Sequence, residues 1–96
     1  YPVNNMGGFD KANEYAALRL SDTGYGADLA VGVTAVTVGT VTLWVDGSLA
    51  ASWPVTIRPG QPFKEGWERP FGMNGALGVR LTDEQNHTLI EMGRLP

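Results

Sequence analysis

Hydrophobic residues recur at every second position in several short runs of this chain, and clusters of turn-formers separate the runs. Alternation of that kind marks half-buried β-strands, because successive side chains of a strand point to opposite faces. Tyr1 to Phe9 shows no period and carries Pro2 and Gly7-Gly8, so it reads as an arm that packs through Tyr1, Val3 and Phe9. Asp10 to Leu20 admits two readings. As a helix, Asp10 caps the run and Gly24 lies beyond its end. As a strand, Ala16, Leu18 and Leu20 share one face, and Tyr15, Ala17 and Arg19 share the other. Ala, Leu and Arg scatter around a helical wheel without an apolar stripe, which favours the strand.

Between Val33 and Val45, nine of thirteen residues are Val or Thr. Side chains this stiff at χ1 suit a pleated surface. Thirteen residues exceed a usual strand, and a break is expected near Thr37 to Thr40, at Gly39. Asp46-Gly47 then predicts a hairpin tip. Val41, Leu43 and Val45 precede it on one face, and Leu49, Ala51, Trp53, Val55 and Ile57 follow it on one face. All are odd-numbered, so a two-residue loop would split the apolar sets. A three-residue loop or a bulge is therefore expected, with Gly47 at positive φ. The opposite face takes Thr40, Thr42, Trp44, Ser48, Ala50 and Ser52.

Arg58-Pro59-Gly60-Gln61 predicts a type II turn, with Pro setting φ and Gly supplying φ > 0. Pro62 to Gly75 reads as one short irregular strand and a loop. Gly75 to Leu81 alternates with Leu77, Val79 and Leu81 inward, Asp83 to Asn86 turns, and His87 to Met92 returns as the last strand. Six or so strands at this turn spacing predict an all-β fold, a single small antiparallel β-sandwich over 13–96 behind an arm or linker over 1–12.

Val41-Thr42-Leu43-Trp44-Val45-Asp46-Gly47-Ser48-Leu49, followed by Trp53-Pro54-Val55-Thr56-Ile57-Arg58-Pro59-Gly60-Gln61, resembles the middle hairpin of bacterial and archaeal immunoglobulin-like modules of the CARDB/fibronectin-III-like kind. The likeness extends over residues 13 to 92 and departs at Phe63 to Asn74, which is richer in aromatics and prolines. It implies an immunoglobulin-like sandwich serving as a spacer, adhesion unit or accessory domain, and it supplies no catalytic residues.

Composition narrows the functions. Ninety-six residues allow one domain, and a chain this short buries roughly two-thirds of its unfolded surface. Gly 13 and Pro 6 fit many short elements, while the absence of Cys removes disulfides, thiolate nucleophiles and thiolate zinc sites. Seven Lys+Arg against ten Asp+Glu, without a basic cluster, argues against nucleic acid and anionic membranes. No apolar run reaches the roughly 18 residues that membrane insertion requires. Tyr1 in place of an initiator Met suggests a processed or excised piece.

Candidate chemistry is sparse. His87 is the single imidazole, near Asp83 and Glu84, and reads as an exposed hairpin residue. Asp22, Asp28, Asp46, Asp83 and Glu84 read as solvated loop carboxylates without EF-hand spacing. Asn86-His87-Thr88 matches the N-glycosylation triplet. No cofactor or metal is implied.

Aromatics carry the remaining signal. Trp53 is expected in the core with Val41 and Leu43, whereas Trp44 is expected outward on a Thr/Ser face, suited to a protein contact or to sugar stacking. Trp67 and Phe71, among Lys64, Glu65, Glu68 and Arg69, form either a binding loop or a loop folded over the sandwich end. The candidate contact residues are thus Tyr1, Val3, Phe9, Trp44, Trp67 and Phe71. The expected role is non-enzymatic contact with protein, as an accessory module of a larger extracellular protein or a subunit of an assembly. A virion (capsid decoration) or filament component, with homo-oligomers, is one alternative; a small carbohydrate-binding module is the other.

Overall fold

A computed structural model describes residues 8–96. Its strands are β1 (Lys11–Ala12), β2 (Ala16–Asp22), β3 (Gly26–Val33), β4 (Thr37–Val45), β5 (Ser48–Ile57), β6 (Phe63–Glu68), β7 (Leu77–Asp83) and β8 (Thr88–Gly93). They form two antiparallel sheets, ordered β1-β2-β3-β6 and β5-β4-β7-β8. The expected β-sandwich is what the chain builds. Asp10 to Leu20 resolves as strand, and its first rungs, Lys11 opposite Leu18 and Ala12 opposite Ala17, already lie in the segment assigned to the arm.

Alternation sets the core. Ala16, Leu18, Leu29, Val31, Val41, Leu43, Val79 and Leu81 are buried between the sheets, and no polar or charged side chain among the described residues is buried. The outer face of the first sheet is closed by small residues. Buried Ala30 stands between Arg19 and Lys64 in register, where long side chains can lay their stems across it.

Three expectations are corrected. The break expected at Gly39 falls instead at Thr34–Val36, where Thr34 N–H donates to Tyr15 O (3.0 Å) and the Thr37 hydroxyl donates to Ala35 O (2.9 Å). Gly39 lies inside β4, opposite Asp83, because β4 and β7 run so close there that a methyl would overlap the carbonyl oxygen of Thr82. Pro62 to Gly75 holds a regular strand over Phe63–Glu68 in place of an irregular one. Asp28 belongs to β3, and Asp22 and Asp83 are the last residues of β2 and β7, so of the five carboxylates read as loop residues Asp46 and Glu84 lie in loops.

The hairpin mismatch is resolved by the bulge. Asp46 (φ 54°) and Gly47 (φ 83°) form a two-residue loop with both angles positive, as a type I′ turn requires. Val45 does face Ser48 and Trp44 faces Leu49, but the register then shifts so that Leu43 faces Ala51. Ala50 is the extra residue, and it restores the apolar alignment of Val41 with Trp53. Leu49, expected inward, lies on the tip side of the bulge and is 56% exposed.

Trp53 is half-buried where the edges of β5 and β6 meet, with its ring 6.1 Å from that of Phe63. The Arg58–Gln61 turn has the expected form, with Gln61 N–H donating to Arg58 O (3.0 Å) and Gly60 at φ 78°. Antiparallel pairing gathers loops 23–25, 46–47 and 69–76 at one end of the sandwich. Loops 34–36, 58–62 and 84–87 gather at the other.

Candidate contact surface

The expected contact residues do not converge. Tyr1 and Val3 lie outside the described residues, and Phe9 is half-buried just ahead of Asp10, whose N–H donates to Leu18 O (2.8 Å). Trp67 turns inward: β6 alternates, and its register against Ala27 packs the indole against the core. Trp44 does face outward from β4, yet it is half-buried. Its Nε1 donates to the Thr42 hydroxyl (2.9 Å), and the Arg80 guanidinium lies 5.6 Å from its ring centroid. Arg80 is held in turn by Glu91 at 3.0 Å. One face of the indole is therefore already occupied by a cation.

Phe71 is different. Met73 N–H donates to Pro70 O (3.0 Å) and Gly72 has φ 83°, so a hydrogen-bonded turn holds Phe71 at its tip. The residue is fully exposed, at 107%. Tyr25, on the neighbouring Asp22–Gly26 turn, is 89% exposed. That turn is itself braced, with Gly24 N–H donating to Asp22 Oδ1 (2.9 Å) and Thr23 N–H to Gly26 O (3.1 Å).

Arg69 ties the two loops together. Its N–H donates to Tyr25 O (2.8 Å), while its side chain, 13% exposed, donates to Met73 O, Gly75 O and Asp22 Oδ2 at 3.2–3.4 Å. Tyr25 and Phe71 line one open hollow of about 400 Å³. Gly72, Met73 and Asn74 continue from it into a second of about 290 Å³, walled by Leu49. The aromatic composition of Phe63 to Phe71 points to this end. The exposure of Leu49 is not legible without the bulge.

At the opposite end Asp83 folds its own turn. Its Oδ1 accepts the N–H groups of Gln85 and His87, each at 2.9 Å, and His87 Nδ1 stands 3.3 Å from Oδ2. The His87 N–H, chiefly, holds the Asp83 carboxyl below its ordinary 3.8 against an opposing effect of desolvation. His87 stays exposed and serves this turn. Among the described residues no three His, Asp or Glu side chains are grouped to hold a metal ion.

The family model described as YphG-like protein, second domain, matches residues 11–92. No curated protein and no solved structure matches the chain.

Proposed function

From the premise that the chain belongs to the family of YphG-like second domains, we propose that it is a non-enzymatic β-sandwich acting through protein–protein contacts as an accessory module of a larger protein. The family description carries this reading: a second domain has neighbours in its own chain, so contact surfaces are what it needs first. An immunoglobulin-like assignment is part of the proposal. It is supported by the way β4 leaves the first sheet, β6 returns to it and β7 crosses back, a Greek-key partition of two packed sheets.

The edges favour a module over a self-assembling subunit. β5 is a ten-residue edge strand without a charged residue, the kind that invites pairing with another chain. Pro54 in its middle and the bulge at Ala50 interrupt that edge, while Lys64, Glu65 and Glu68 place charges on edge strand β6. A glycan platform at Trp44 is less favoured, because Arg80 and Thr42 already engage the ring and its N–H.

Sedimentation velocity of the isolated chain separates the two contact roles. A single 10.3 kDa species at every concentration is expected. Oligomers that grow with concentration would instead support the assembly role.

A further inference from the structure

We propose that the sandwich end carrying Tyr25 and Phe71 is the seat of the domain that precedes this one in YphG-like proteins. The inference rests on the accessory-module reading above and names the surface it uses. Three observations converge on this end.

The first is preorganised apolar exposure. Tyr25 and Phe71 stand out on two hydrogen-bonded turns locked to each other by Arg69. Backbone turns held this way lose little freedom when a partner covers the rings they carry, which lowers the cost of docking. The hollow beneath them shares Met73 with the one beside Leu49, so apolar side chains stand in both.

The second is the path of the backbone. β1 is antiparallel to β2, so going back from Ala12 to Gly8 the chain runs along β2 toward the Asp22–Gly26 turn. The Asp10 carboxylate accepts the Leu20 N–H (3.1 Å), and the Arg19 guanidinium lies beside Gly8. The described chain thus enters β1 from the end that bears the exposed rings.

The third is what the rival surfaces lack. The opposite end exposes Tyr15, Val36 and Val38, but these flank the Asp83 turn, and the segment before β1 leads away from them. The β5 edge is interrupted by Pro54 and its bulge.

Hydrogen–deuterium exchange of a full-length YphG-like protein carrying this domain, compared with the isolated chain, tests the seat. Amides of residues 23–25, 69 and 71–75 are expected to exchange about tenfold more slowly in the full-length protein. Tyr25→Ser with Phe71→Ser should return them to the isolated rates while leaving the isolated chain's melting temperature unchanged. If that double variant melts early, the single variant Phe71→Leu serves, and the unmutated comparison needs no variant at all. Equal exchange of these loops in both proteins overturns the proposal. Slowing confined to 34–36 and 84–87, or to β5, overturns this seat but leaves the contact module standing; no slowing anywhere in the domain overturns both.

Discussion

Replacing Leu43 by Ala is expected to lower the stability of the fold by about 3–4 kcal/mol, in the upper part of the range for large-to-small core changes. Leu43 is fully buried, and its strand is hydrogen-bonded on both sides, to β5 and to β7. Two ladders hold the backbone in place, so the walls cannot collapse into the space the side chain leaves. The lost transfer energy and the cavity therefore add. Domains of this size hold about 5–15 kcal/mol in all, so the change removes a large share of it. In a urea titration the midpoint should fall with the slope unchanged, and a thermal midpoint should drop by about 15 °C or more. A loss below about 1 kcal/mol would mean that the site relaxes and that the two sheets are not packed as described.

Gly39→Ala is expected to cost about 2–3 kcal/mol, as much as a severe core overpacking, although it adds one methyl to a half-buried strand position. The methyl would overlap the Thr82 carbonyl, a backbone atom that no rotamer change can remove. β4 and β7 must move apart, weakening the neighbouring rung of Thr40 with Thr82. Gly66→Ala is the matched comparison, since a methyl there lies 3.3 Å from the movable Asp28 carboxylate and nothing closer. That change should shift the midpoint by less than about 1 kcal/mol. Equal losses at the two glycines would show that the close approach of β4 and β7 is not what Gly39 serves.

The same two residues show what could be read from sequence. Leu43 was legible, as were Ala16, Leu18, Val41, Leu77, Val79 and Leu81, because period-two alternation is a local signal that burial then enforces. Gly39 was legible as special but not for its reason. A glycine that interrupts a strand and one that admits a neighbouring backbone look alike until the partner strand, some forty residues away, is in place.

The hairpin sits between these cases. Parity demanded one extra residue, yet parity cannot say whether it enters the loop or the ladder. Asp46-Gly47 takes the tight loop, so the surplus falls on Ala50 and Leu49 turns outward. The candidate contact surface was less legible still. Trp67 and Phe71 stand four residues apart and look equivalent in sequence. One lies inside a regular strand and faces the core; the other lies past its end, on a turn. Trp44 loses its free face to Arg80, a residue on a strand that only the sheet order brings alongside.

The contact role is tested most directly by calorimetry of this domain alone and within a full-length YphG-like protein. Burial of its exposed end against a neighbour acts as a bound partner does, stabilising the folded state by mass action. The domain is therefore expected to unfold at a higher temperature in the full-length protein than alone, together with the domain it contacts. An independent transition at the same temperature in both would contradict the account.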